Sequence, residues 1–191
     1  MSSEAPRRSD ATRAAILRAA RARFAQDGYQ RATIRAIAAD AAIDPSMVMR
    51  YYGNKAQLFA AAVDVDLRMP DLAGLPPERL GAELVRHFLH RWEEDPGGDV
   101  LLTLLRSAAT DETAAERVRG IFREQILPIV VRMAGGDEPE AQRRAGLLAT
   151  QMLGLAMCRH ILRIPPVAAM TAETLVDHVG PTVQRYLTGE R

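Results

Sequence analysis

Apolar residues recur at three- and four-residue spacing along nearly the whole chain and never alternate over the length of a strand. Ile16, Leu17, Ala20 and Phe24 share one face, which predicts a helix over 9–26, opened by Ser9 or Asp10 and closed by Gly28 as its left-handed C′ residue. Two short helices are predicted next. One covers 33–40 with Thr33 as N-cap; the other covers 44–52 with Asp44 as N-cap and Pro45 at the first helical position. Gly53 breaks the pattern. Asn54 and Gln57, at capping-box spacing, open a fourth helix expected to run to Met69, where Pro70 stops it. The Pro- and Gly-containing stretch 69–77 reads as a linker. Beyond it the pattern predicts helices over 77–94, 98–109, 112–134, 138–164 and 171–188, with kinks or breaks at Pro128 and Pro181. Asp137 and Glu140 repeat the capping-box spacing. The expected fold class is therefore all-α, about nine helices, with one domain over 10–70 and a second over 77–188.

The formal charge of +1 carries little information, but its distribution does. Residues 1–55 hold ten Arg and Lys against five Asp and Glu; the remainder holds fifteen against nineteen. A basic head on an acidic body suits a protein that meets an anionic polymer at one end only. Arg7 and Arg8 belong to that head and read as a solvated lead-in. The single cysteine, Cys158, excludes an intrachain disulfide and fits a cytoplasmic setting. No apolar run reaches the roughly 20 residues of a membrane span, so no membrane partner is expected. No catalytic or phosphate-cradling motif is present, and Gly97-Gly98 reads as a plain loop, so neither an enzyme nor a cofactor is expected. His87 and His90 lie three apart, with Cys158 and His160 as imaginable companions. Without an evident third ligand they read as surface or core histidines, and no metal is expected.

The first 52 residues contain three helices, the last two joined by Ala41-Ala42-Ile43, which is the size of a helix-turn-helix. Ile37, Ala38, Ile43, Val48 and Tyr52 can form the apolar wedge that sets the angle between the pair. Pro45, Ser46, Met47, Met49, Arg50 and Tyr51 then face outward. The run from Gly28 through Thr33-Ile34-Arg35-Ala36-Ile37-Ala38, followed by Ala42-Ile43-Asp44-Pro45-Ser46-Met47-Val48-Met49-Arg50-Tyr51-Tyr52-Gly53-Asn54-Lys55 and Leu58, resembles the DNA-binding domain of the TetR family of transcriptional regulators. The resemblance is strong over roughly 10–70 and rests on length and helix number beyond.

That resemblance implies roles by position. Thr33 caps and meets phosphate, Arg35 reaches phosphate or a base edge, and Pro45, Ser46 and Met47 lie where base contacts occur. Arg50 and Tyr51 are DNA contacts, and Lys55, the only lysine in the chain, is the phosphate anchor. Two residues depart from the family pattern. Met49 stands where Tyr is usual, losing a hydroxyl donor, and Ala42 stands where Gly is common. The resemblance also implies a double-stranded operator, a small-molecule effector and a homodimer.

In the C-terminal half, Gly146, Thr150, Gly154 and Cys158 repeat every four residues, which lets another helix approach closely. With Val176, Val179 and Val183 from the last helix they form the expected dimer face. Phe88, Trp92, Phe122, Met133 and Met152 are candidates for an apolar effector pocket and could equally be core. The reading is a DNA-binding repressor released by an apolar effector. An activator on the same scaffold, or a helical carrier or enzyme that has lost DNA binding, are the alternatives.

Overall fold

The computed structural model describes residues 8–95, 98–134 and 138–189, and all its regular elements are helical. Arg7, Gly97 and Asp137 lie outside the described residues, as does the Arg8 side chain. By compactness the chain divides into one unit of the residues up to Asp64 together with Asp99–Arg117, and another of Val65–Gly98 with Val118 onward. The 69–77 stretch thus lies inside the second unit.

In the first unit, α1 (Arg8–Arg31) leaves helical geometry at Gly28 (φ 73°, ψ 167°), so Tyr29–Arg31 is a separate last turn. Next come α2 (Ile34–Asp40), α3 (Pro45–Tyr52) and α4 (Lys55–Ala62). Ile16, Ala20, Phe24, Ile37, Ala38, Val48, Leu58 and Phe59 are buried together. Phe24 and Tyr29 each meet Phe59 edge-on, with ring centroids 4.9 Å apart. Phe24 and Phe59 are almost wholly buried, worth roughly 1.5–3 kcal/mol each over exposure. Two later elements belong here: α6 (Gly98–Ala108) and the first part of α7 (Glu112–Ile121). Asp111 caps α7 by accepting from Ala114 N–H at 3.0 Å.

Within the second unit α5 (Leu80–Glu93) packs mainly on α11 (Ala172–Thr188). The approach is close enough that a Cβ on Gly81 would overlap the Gly180 carbonyl and the Gln184 backbone. Gln184 seals it, accepting from Gly81 N–H at 2.7 Å and donating to Pro77 O. α8 (Leu127–Ala134), α9 (Glu138–Ala156) and α10 (Pro165–Ala169) complete the unit. No described helix is long and apolar enough to cross a membrane.

Three departures from the sequence expectation have physical causes. The fourth helix stops at Ala62, not Met69, because side chains take over the backbone of 65–67. Gln125 Nε2 donates to Val65 O and Gln125 Oε1 accepts from Leu67 N–H; Arg91 donates to Asp66 O and His87 Nε2 to Leu67 O, all at 2.7–2.9 Å. Second, the break expected at Pro128 takes the form of a π-helical turn, Phe122–Ile126, just before it, which relieves the clash between the proline ring and the carbonyl four residues back. Pro181, by contrast, interrupts nothing: it and Asp177 are both exposed, so water reaches the freed carbonyl. Third, the helix expected over 138–164 gives way at Ala156 to a π turn, Met157–Ile161, and a new helix starts at Pro165. Arg159 fixes that corner through Glu93 at 2.6 Å and through the Val167 and Met170 carbonyls, each at 2.9 Å.

Two predictions follow from strain and burial. Ala42, in the turn between α2 and α3, has φ +53°, a conformation that disfavours a side chain. Ala42→Gly should stabilise the protein by about 0.5–1 kcal/mol, read as a raised thermal midpoint; an unchanged or lower midpoint refutes the strain. His160 stacks flat on Trp92 at 5.3 Å, and its pKa is lowered, chiefly by burial and secondarily by Arg159, against the opposing pull of Glu93. The fold therefore favours neutral His160. Its contribution is complete above the unfolded value near 6.5 and is lost as pH falls below it toward the lower folded value. Urea midpoints measured from pH 8 to 5.5 should fall less for His160→Phe than for the natural chain.

Candidate nucleic-acid interface

The interface is built on α3, an eight-residue helix held at both ends. Asp44 accepts from Ser46 N–H at 2.8 Å and from the Ser46 hydroxyl, and these bonds hold its carboxyl below the usual carboxylate range. Pro45 supplies the first helical φ. At the far end Gly53 adopts φ +74°, and a Cβ there would overlap the Gln57 side chain, so the turn into α4 needs glycine. Asn54 then caps α4 by accepting from Gln57 N–H at 2.8 Å. Val48 points inward and is buried, while Pro45, Ser46, Met49 and Arg50 are exposed. Met47 and Tyr51 are half-buried.

The remaining candidates surround this helix. Thr33 caps α2, its hydroxyl oxygen accepting from Ala36 N–H at 3.1 Å, which leaves the hydroxyl proton available to a phosphate. Arg35 and Arg50 are exposed, and neither bonds or pairs with any described residue. Lys55 sits at the first position of α4, its ammonium 4.6 Å over the Tyr29 ring and bonded to Gln30 O at 3.0 Å. Two ammonium protons remain, at a helix N-terminus whose own N–H groups favour an anion. Two nearby carboxylates, Asp27 and Asp40, are neutralised inside the unit. Arg23 pairs with Asp40 at 2.6 Å and with Asp27 at 3.3 Å, which lowers the Asp40 pKa and leaves the outward cations less opposed.

Met49 is 43 % exposed, the one large hydrophobic so exposed among the described residues of this unit. Its thioether cannot donate to phosphate; it offers apolar contact of the kind a thymine methyl accepts. Several supporting residues had no role assigned from the sequence. Arg13 lies 5.4 Å over the Tyr51 ring and its carbonyl accepts from the Tyr52 hydroxyl, while Tyr29 and Gln30 cradle Lys55. Those residues are brought together from 25 or more positions apart, as for Lys55 and Gln30.

In the second unit the small-residue stripe runs along α9 and ends at Cys158 in the π turn that follows it. Thr150 and Gly154 are exposed, Gly146 and Cys158 are half-buried, and a Cβ on either glycine would meet nothing. Leu147 and Leu153 stand exposed beside them. The expectation for α11 needs correction: Val176 and Val183 are buried in the core of their own unit, and only Val179 is partly accessible. The amphipathic stripe of α11 faces α5, which the single-helix pattern could not distinguish from a partner.

Of the five pocket candidates, Phe88, Phe122, Met133 and Met152 are partly buried against the core, and Trp92 lies between Phe88 and His160 in an aromatic stack. Only Met133 lines the cavity of about 280 Å³ that opens beside 69–73, with Met69, Leu72, Ile129 and Arg132. No group of three metal-ligating side chains occurs among the described residues.

Known proteins share these features. Residues 16–62 match the family model described as bacterial regulatory proteins, tetR family, and residues 78–187 match the tetracyclin repressor-like C-terminal domain. An HTH-type transcriptional repressor of Streptomyces coelicolor, SCO4008, is 44% identical over 69 residues, 36% of this chain. The match spans about a third, 35%, of that relative's length. A TetR-family regulator of Streptomyces coelicolor, SCO0857, superposes with TM-score 0.64 at 29% identity, over 97% of this chain and 99% of that one. NalD, the secondary repressor of the MexAB-OprM multidrug efflux pump in Pseudomonas aeruginosa, superposes with TM-score 0.73 at 21% identity, over 96% and 98% of the two chains.

Lys55→Ala should lower the slope of log affinity against log salt by about one for each recognition helix engaged, on any duplex sequence. Fluorescence anisotropy with labelled DNA reads this directly, and an unchanged slope removes Lys55 from the interface.

Proposed function

Since the chain belongs to the TetR family and is a DNA-binding transcriptional regulator, we propose that it acts as a homodimeric repressor that leaves its operator when a small apolar effector binds. The observation that carries the reading is the outer side of α3: Pro45, Ser46, Met49 and Arg50 lie open to solvent while Val48 anchors the helix from beneath. Arg50 reads guanine O6 and N7 with two hydrogen bonds, worth about 1–3 kcal/mol of discrimination. Thr33, Arg35, Tyr51 and Lys55 set register on the phosphates. Pro45, Ser46, Met47 and Met49 meet the bases or the sugar edge.

Two-fold operators need two such helices about one turn of DNA apart. The stripe of Gly146, Thr150 and Gly154 on α9, continued by Cys158 in the following π turn and flanked by the exposed Leu147 and Leu153, supports pairing of two copies along this face. Release is a population shift. The effector favours a state of the dimer whose two recognition helices no longer match adjacent major grooves. The cavity beside 69–73, slightly below the usual drug-sized range of about 300–1,000 Å³, supports an effector that is small.

DNA taken from upstream of the protein's own reading frame is the first probe. Gel shift should give a complex that Leu153→Arg abolishes together with the dimer peak in size-exclusion chromatography. A retained complex from a monomeric variant rejects the dimer. A reporter driven by that upstream DNA should rise when the gene is deleted; a fall marks an activator.

A further inference from the structure

Lys55 does not stand alone on its surface; it is the end of a short relay. The last turn of α1, set off by the kink at Gly28, carries all the links. Tyr29 lies under the ammonium, and Gln30 O accepts from it at 3.0 Å. The side chain of the same Gln30 points the other way: its Nε2 donates to Asp111 Oδ2 at 3.0 Å. Asp111 is one of the few buried polar residues, and its other oxygen caps α7. The turn from α6 to α7 is closed around it, with Thr110 N–H and Asp111 N–H both bonded to Ser107 O at 3.0 Å. Gln30 thus joins the ammonium to a helix cap that lies 81 positions beyond Gln30 in the chain.

We propose that Gln30 and Asp111 are positioning residues for DNA. Through them the α6–α7 turn holds the last turn of α1, and so fixes where the Lys55 ammonium meets phosphate. The proposal rests on the reading of Lys55 as a phosphate anchor. The chemistry favours this direction of control. The ammonium is a compact charge on a flexible four-carbon stem, so its place is set by what it bonds to. Here the partners are a ring and a carbonyl on a turn of three residues, too short to hold itself. The capped end of α7 is the fixed point: its carboxylate is buried, and its helix continues for ten residues. A displacement of the α6–α7 turn would move the Gln30 carbonyl and leave the ammonium without its seat.

The test is a double-mutant cycle on nonspecific DNA, which Lys55 should bind regardless of sequence. The probe is a fluorescein-labelled random duplex of about 30 base pairs, three helical turns, and the readouts are affinity, salt slope and thermal midpoint. Gln30→Leu keeps the carbonyl at position 30 and removes only the amide. It should weaken binding by about threefold or more and reduce the salt slope, with little effect on the midpoint. Lys55→Ala should weaken binding further, and the double variant should bind no worse than Lys55→Ala alone. If the two losses multiply, Gln30 acts on something other than Lys55 and the proposal is overturned. If Gln30→Leu lowers the midpoint strongly, the reversed pair Gln30→Glu with Asp111→Asn decides. It restores one hydrogen bond in the opposite sense and should recover the salt slope; failure to recover it also overturns the proposal. A Lys55→Ala variant that binds like the natural chain overturns the anchor reading itself, which separates that failure from an additive cycle with a working anchor.

Discussion

An eight-residue helix does not persist by itself in water, because its nucleation cost is recovered only over about 12–15 residues. α3 has eight residues and one fully buried side chain, Val48. Everything the protein does with DNA depends on how that deficit is met. Asp44 satisfies the first N–H groups, Pro45 fixes the first φ, and the Gly53 N–H closes the last turn on Met49 O at 2.7 Å. The outer side is then free of structural duty. Met49 and Arg50, exposed on that side, hold nothing in place, so side chains as different as a thioether and a guanidinium fit there.

The same economy appears at the exit from α4. A helix would satisfy the backbone of 65–67 internally, yet here side chains do so. Gln125 engages Val65 O and Leu67 N–H as a neighbouring strand would, and Arg91 and His87 complete the set. Arg91 is almost wholly buried, and Asp95 at 2.5 Å balances its charge. A buried guanidinium without such a partner would be costly, so the pair and the extended segment require each other. The π turn that contains Gln125 comes from the need to accommodate Pro128. A local steric conflict thus supplies the geometry for a distant backbone contact.

Much of the site was legible in advance, for reasons of local chemistry. Thr33, Asp44 and Asn54 act as N-caps because a short polar side chain before a helix can reach an N–H two or three residues on, whatever surrounds it. Gly28 and Gly53 break helices because their positive φ suits only glycine well. The small-residue stripe was visible as spacing, and Thr150 and Gly154 within it are exposed in the folded chain. What could not be read were relations between distant segments: Tyr29 under Lys55, Gln30 against Asp111, and the membership of α6 in the first compact unit.

The sequence by itself therefore determined the helical class, the N-caps of α2, α3 and α4, and the exposure of Pro45, Ser46, Met49 and Arg50 on α3, since each is decided within about four residues by hydrogen-bond reach, allowed φ and helical spacing. Only the tertiary structure decided where α4 stops, which side of α11 is core, and what seats the Lys55 ammonium. In each of those the deciding contact comes from far along the chain: Gln125 on 65–67, the α5 face on α11, and Gln30 at Lys55.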